Sequence, residues 1–282
     1  MHHPTLGENV APFRVIRRLS TAATVLAMAG GALAAGPSAG ATANPITHPD
    51  QDHMGSGLAS RMSSNVVTPA VAGLPGLDVS SYQGNVNWTS VKNNGAKFAY
   101  VKATEGTSYT NPYFSQQYVG SYNVGLIRGA YHFATPNTSG GATQADYFAN
   151  HGGAWSKDHK TLPGALDIEY NPYGATCYGL SQASMRSWIH AFVNEYHAKT
   201  GRWAVIYSTL DWWTSCTGNS DTTFANNDPF WIARYSSSAG SVPAGYGTYT
   251  FWQYADSGTF PGDQDVFNGT ATRLLALADN TP

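Results

Sequence analysis

Charge is scarce in this sequence. Only 11% of its 282 residues are Asp, Glu, Lys or Arg, and the formal net charge is −2. Beyond the first eighteen residues no cluster of Lys and Arg occurs, which excludes the basic footprint of a nucleic-acid-binding surface. Cysteine is nearly absent. Cys177 and Cys216 are the two present, there is no C-x-x-C and no H-E-x-x-H, and so the common zinc spacings are excluded. His190 and His197 stand two helical turns apart, beyond the i, i+4 spacing of a shared ligand face. No long, strongly apolar run is found either. The nearest is the uncharged stretch from Leu19 to Ala35, which is rich in Ala and Gly and falls short of the roughly 20 strongly apolar residues of a membrane-spanning helix. No internal period marks a solenoid.

What is present divides the chain in three. Arg14, Arg17 and Arg18 precede the Leu19–Ala35 stretch, small residues follow, and Ala41-Thr42-Ala43 offers an A-x-A cleavage site. That order describes a secretory signal peptide over 1–43, with Ala35 as a second candidate cut, rather than a membrane anchor. Residues 44–75 are rich in Ser, Ala, Gly, Pro and His with no apolar period, and read as a flexible linker or pro-segment too polar to fold alone. Residues 76–282 are long enough for one barrel domain and its core. In an exported chain the isolated pair Cys177 and Cys216 most simply makes one disulfide. Aromatics are abundant, with 8 Trp and 17 Tyr. Most of these will fill the core, although a neutral, Tyr- and Trp-rich chain is also the composition of a protein that stacks sugar rings.

From Gly76 onward, short apolar runs alternate with helical patterns. Strands are expected over 76–80, 98–104, 126–133, 162–169, 203–208, 230–235, 249–254 and 265–267. Helices are expected over 88–93, 111–123 and 144–150, and most clearly over 181–199. In that last helix Met185, Trp188, Ile189, Phe192, Val193 and Tyr196 form one stripe between a Ser181 N-cap and a Gly201 stop. Strand–helix alternation implies parallel pairing. Eight strands in one domain point to a closed, irregular TIM-like β/α barrel, short of helices in its second half.

In such a barrel the working residues sit at strand ends. Asp78, Glu105, Asp167, Glu169 and Asp265 are strand-end acids that a core would not choose. Asp167 and Glu169 lie at i and i+2 of one strand, on the same side and about 6.6 Å apart along it. Repulsion between them raises one pKa. A carboxylic acid still protonated near neutrality can protonate a glycosidic oxygen while its ionised neighbour stabilises an oxocarbenium-like transition state. Alone, a D-x-E reads more simply as two surface carboxylates at a strand end.

The motifs in order change that weighting. Gly-Leu-Asp78-Val-Ser-Ser-Tyr-Gln-Gly, Val-Lys102-Ala-Thr-Glu105-Gly, Gly-Ala-Tyr131-His132-Phe133, Leu-Asp167-Ile-Glu169, Trp231-Ile-Ala-Arg-Tyr235, Trp252-Gln253-Tyr254 and Asp265-Val-Phe-Asn-Gly span residues 76–270. Together they resemble glycoside hydrolase family 25, the Chalaropsis-type lysozymes. The resemblance implies one catalytic domain, an eight-stranded barrel with fewer than eight helices. The signal pattern makes the expected product a secreted, extracellular protein without stable membrane association once the signal is cut, and a monomer is expected. The implied reaction is hydrolysis of the β-1,4 bond between N-acetylmuramic acid and N-acetylglucosamine in the glycan strands of bacterial peptidoglycan, without metal or other cofactor. The position matching Glu169 is the general acid, and those matching Asp78, Asp167 and Asp265 complete the acid cluster. Gly262-Asp263-Gln264-Asp265 contains two acids, and Asp265 is taken because Val-Phe-Asn-Gly follows it. The groove's lysine and tyrosines correspond to Lys102, Tyr109, Tyr131 and Tyr207. Glu105, Trp252 and Gln253 join them as substrate-binding candidates. A Cys177–Cys216 bridge would brace the groove wall.

The expected mechanism is substrate assistance: the muramic N-acetyl group attacks its own anomeric carbon, Asp167 orients the acetamido nitrogen, and Glu169 acts as acid and then as base. The alternative is a catalytically inactive barrel that binds cell-wall glycan, since one fold hosts many functions. A pure binder, however, has no need of a repelling carboxylate pair. A chitinase-like hydrolase is disfavoured because the D-x-x-D-x-D-x-E run is missing. His132, beside Tyr131, reads equally as a ligand-facing donor or as a buried, hydrogen-bonded residue that shapes the groove floor, and is kept out of the catalytic set.

Overall fold

The computed structural model describes residues 45–61 and 73–281. The expected signal peptide and residues 62–72 of the expected linker lie outside the described residues. A short helix α1 (Ser56–Ala59) comes first, followed by β1 (Leu74–Val79), α2 (Trp88–Asn93), β2 (Phe98–Glu105), β3 (Tyr109–Thr110) and α3 (Phe114–Asn123). Next are β4 (Ile127–Phe133), α4 (Gly141–Phe148), β5 (Ala165–Asp167), α5 (Gln182–Thr200), β6 (Val205–Ser208) and α6 (Leu210–Thr217). The chain ends with β7 (Phe230–Ala233), β8 (Phe251–Ala255), β9 (Asp263–Phe267) and α7 (Ala271–Asp279). The strand order is β1-β9-β8-β7-β6-β5-β4-β2, and the β1–β2 pairing closes it into an eight-stranded barrel, with β3 added at the end of β2. No helix of the described residues is long and apolar enough to cross a membrane.

Seven of the eight barrel strands run parallel. β9 is antiparallel to both neighbours, β1 and β8. Its direction follows from chain length: only residues 256–262 join β8 to β9, too few for the crossover that a parallel return requires. The consequence for the site is large, because the first residues of β9, not its last, lie at the mouth where the other strands end.

Alternation along the strands sorts the side chains into two layers. Leu77, Val79, Ala99 and Val101 face outward onto α2 and its neighbours, while Phe98, Tyr100, Tyr207, Trp231, Phe251 and Phe267 fill the barrel. The interior rings meet at 4.8 Å (Tyr100–Trp231) and 5.2 Å (Phe98–Phe251) between centroids. Two inward glycines make room for them: a Cβ on Gly76 would stand 2.4 Å from the Phe98 ring, and one on Gly129 would stand 2.2 Å from Tyr100. Most of the aromatic excess is therefore core, as expected.

Helix α5 matches its sequence signature. Ser181 accepts from the Ser184 N–H, Gly201 takes a left-handed φ of 71°, and all six stripe residues are buried. Three helices escaped that reading, the first being the single turn α1 inside the expected linker. In α6, capped by Thr209, the run Leu-Asp-Trp-Trp-Thr-Ser-Cys-Thr hides its period among bulky residues; α7 begins at the Thr270 cap and buries Leu274 and Ala278. The expected strand over 162–169 shrinks to Ala165–Asp167, so Glu169 lies just beyond the ladder.

Cys177, in the loop after β5, is bonded to Cys216 of α6, with Cα atoms 5.3 Å apart and 39 residues between them in sequence. Closing a loop of that length stabilises a fold by about 3–4 kcal/mol. Cys177→Ser with Cys216→Ser should therefore lower the Tm by roughly 10 °C, read by calorimetry. A drop of under about 2 °C would mean that the loop is held by its packing alone.

Candidate active site

The mouth of the barrel is lined with buried carboxyls. Asp78 is the last residue but one of β1, Asp167 ends β5, Glu169 lies two residues further on, and Asp263 opens β9; all are at most 2% exposed. Asp263 pairs across the ladder with Asp78. Gln253 of β8 ties these two together, its Nε2 donating to Asp78 Oδ2 and Asp263 Oδ2 at 2.9 Å each. Its Oε1 accepts from Tyr207 at 2.6 Å and from Tyr235 at 3.3 Å. The amide is thereby fixed in orientation, and with it the two acids.

Burial raises every pKa in this cluster, because an apolar surround disfavours the charged form. Glu169 is pushed up to about 8, chiefly by burial and against the pull of two backbone N–H groups, from Gly55 and Gly57. Asp78 rises to about 7, chiefly by burial and against hydrogen bonds from Gln253 and Asp265. Asp167 stands well above the carboxylate range through burial and then the charge of Glu169, with Lys102 opposing. Asp263 is raised by burial and then by Asp78. Neither oxygen of Asp167 has a hydrogen-bond partner among the described residues. Groups this close titrate as a set, and the set retains protons near neutrality.

The wall is polar. Lys102 reaches inward and donates to Glu105 Oε2 at 2.6 Å, both side chains being fully buried. Burial raises Glu105 and Lys102 opposes it. Tyr173, in the loop after Glu169, hydrogen-bonds Glu105. Tyr109 meets Ser81 Oγ at 2.7 Å, and the buried Tyr131 faces the acids from β4. His132 points the other way, between Thr104 Oγ1 at 2.8 Å and Gln144 Oε1 at 2.9 Å, and burial lowers it to about 4. It belongs to the packing behind the sheet.

Two expectations need correction. Asp265 stands one layer below the mouth: it pairs with Gly76, two residues before Asp78, its Oδ1 accepts the Trp231 indole N–H at 3.2 Å, and its carboxyl meets that of Asp78 from beneath. The reversed direction of β9 puts Asp263 where Asp265 was expected. Trp252 does not face the groove either. As the neighbour of inward Gln253 it points outward, fully buried in the helix-facing core, with its indole N–H on Arg234 O at 2.8 Å. Asp263 was weighed and passed over in favour of Asp265, and Tyr173 and Tyr235 were missed; the short β8–β9 connection is the sequence signal that favours Asp263.

Carboxyls gathered at the C-terminal mouth of a β/α barrel, some protonated near neutrality and set beside potential bases, define a glycoside hydrolase site. Comparison with known proteins gives the family. The sequence profile described as Glycosyl hydrolases family 25 matches residues 77–263, and the chain belongs to that family. It is 53% identical over 231 residues to Lysozyme M1 of Streptomyces globisporus, covering 80% of this chain and 78% of that one. It is 49% identical over 207 residues to the N,O-diacetylmuramidase of Chalaropsis sp, covering 72% of this chain and 98% of that one. The bacterial lysozyme from Streptomyces coelicolor, a crystal structure, is similar with a TM-score of 0.73 and 54% identity, covering 75% of this chain and 100% of that one. Residues from 73 to the end are about three quarters of the chain, so the likeness to Lysozyme M1 reaches upstream of the barrel.

Proposed function

We propose that this glycoside hydrolase is a secreted 1,4-β-N-acetylmuramidase. It cuts the bond between N-acetylmuramic acid and N-acetylglucosamine in bacterial peptidoglycan, with Glu169 as general acid. The observation that carries the reading is the buried acid set at the mouth, Asp78, Asp167, Glu169 and Asp263, in a family whose relatives are named lysozyme and N,O-diacetylmuramidase. Export is supported by the basic-then-apolar amino terminus, in residues 1–43 outside the described part.

The roles follow from environment. Glu169, held protonated, delivers its proton to the leaving glycosidic oxygen, then takes one from water. Asp167 has two buried oxygens with no hydrogen-bond partner among the described residues, which suits a carboxyl group that receives the N–H of a 2-acetamido group and steadies it as positive charge develops. Asp78 and Asp263, clamped by Gln253, shape the field around the anomeric carbon. Lys102, Glu105, Tyr109, Tyr131, Tyr207 and Gln253 form the wall along which the glycan lies.

Asp263 replaces Asp265 in this set, and the two make opposite predictions. Asp263→Asn should lower kcat/KM by roughly 10²-fold, the scale of one electrostatic contact in a dry site. Asp265→Asn, below the mouth, should stay within about tenfold of wild type. The reverse order would return Asp265 to the catalytic set. The bond itself is tested by digesting purified peptidoglycan and reading the new reducing ends by mass spectrometry. Muramic acid ends are expected; glucosamine ends would mean a glucosaminidase.

A further inference from the structure

We propose that residues 45–61 are a built-in inhibitor of this enzyme, a peptide ligand that occupies the glycan groove and holds the carboxyl of Glu169. The proposal rests on the groove being the glycan site. The segment was expected to be a linker with no fold of its own, yet it lies across the barrel mouth, making one turn of helix at Ser56–Ala59. Both oxygens of Glu169 are taken by its backbone: Gly55 N–H donates to Oε1 at 2.7 Å and Gly57 N–H to Oε2 at 3.1 Å. Lys102 donates to the carbonyls of Pro49 and Asp52 at 2.9 and 2.6 Å, and Gln253 to that of Met54 at 3.1 Å. The segment's backbone thereby occupies Glu169, Lys102 and Gln253, three polar groups of the groove, while Asp167 is left without a hydrogen-bond partner among the described residues.

Apolar and ring contacts complete the fit. Met54 is fully buried in the barrel core and Leu58 nearly so. His53 lies over Tyr82, an otherwise exposed wall ring, with centroids 5.3 Å apart. Close approach of backbone to the catalytic acid demands glycine. A Cβ on Gly57 would stand 2.5 Å from Glu169 Oε2, and one on Gly55 would stand 2.4 Å from the Tyr235 hydroxyl. Gly55 also holds a φ of 89°, where other residues are strained. No glycosidic oxygen can reach the Glu169 proton while these two amides hold the carboxyl.

The inhibitor is tethered through residues 62–72, so its effective concentration is on the order of millimolar. Even a free-peptide Kd of about 0.1 mM would then suppress turnover roughly tenfold. Cutting the tether converts it to a ligand that leaves on dilution.

The test uses the chain from residue 44 to 282 with a site-specific protease sequence inserted between Arg61 and Gly73. Turnover of a soluble N-acetylmuramic-acid-containing oligosaccharide is measured at nanomolar enzyme before and after cutting. The uncut Gly55→Val/Gly57→Val chain is measured in parallel. At least a tenfold rise in kcat/KM is expected in both, and a synthetic 45–61 peptide should inhibit the cut enzyme in competition with substrate. Equal activity before and after cutting and in the variant, or inhibition without competition, would overturn the proposal. Binding of a fluorescent 45–61 peptide, with displacement by a chito-oligosaccharide, separates it from the hydrolase reading. Displacement with no turnover by any form would uphold the inhibitor and overturn the hydrolase. Neither binding nor turnover would overturn both.

Discussion

Glu169→Gln is expected to lower kcat by about 10²–10⁴-fold, the usual worth of a general acid, with KM changed by no more than a few-fold. Gln keeps the volume and can still receive the sugar, but it has no proton to give. The pH dependence should identify the group. Burial holds Glu169 above the usual carboxylate range, so the wild-type rate should fall as pH rises through that raised pKa, and the residual rate of the variant should lack that limb; the value of about 8 is that of the docked state, in which Gly55 and Gly57 donate to the carboxyl. Stability runs alongside. A carboxyl whose pKa is higher in the folded state stabilises the fold fully below its unfolded value, 4.5 for Glu, and loses that contribution as pH rises through the folded value. The wild-type Tm should therefore fall between about pH 4.5 and 8 more steeply than that of Glu169→Gln, and the difference should level off above that. A variant that loses activity and stability together at pH 6 would instead point to damaged packing.

Asp167→Asn should cost roughly 10²–10³-fold in kcat, the scale for losing one preorganised electrostatic contact to a developing charge. Asp167 is fully buried, repelled by Glu169 and without a hydrogen-bond partner among the described residues. Such a carboxyl is a burden to folding and is explained by what it does to bound substrate. The amide should accordingly leave the fold as stable as wild type, or more so, while the rate falls. The same reasoning fixes stereochemistry. If Asp167 orients an acetamido group that attacks its own anomeric carbon, the first product is the β-anomer, seen by NMR before mutarotation. An initial α-anomer would rule out substrate assistance.

Much of this site was legible in the sequence because barrels repeat one rule. An acid that ends a short apolar run sits at the mouth, which located Asp78, Asp167 and Glu169. The rule failed where its premise failed. β9 enters from the mouth rather than ending there, so the choice between Asp263 and Asp265 needed the strand's direction, which chain length alone implied. Trp252 was misplaced for a related reason: period 2 says that it and Gln253 face opposite ways, but not which faces inward. Aromatic bulk concealed α6. The docked segment was the least legible part, since a polar stretch without apolar period gives no sign of its destination. Its key contacts are made by the backbone amides of Gly55 and Gly57, which carry no side-chain signature.

The most direct test of the central claim is to incubate wild type and Glu169→Gln with the same purified cell-wall suspension, scoring protein that sediments with the wall and fragments released from it. Both proteins should bind, and wild type alone should clear the suspension and release fragments ending in muramic acid. Equal binding by both, with no fragments from either, would make this barrel a glycan binder and contradict the assignment of Glu169 as a catalytic acid.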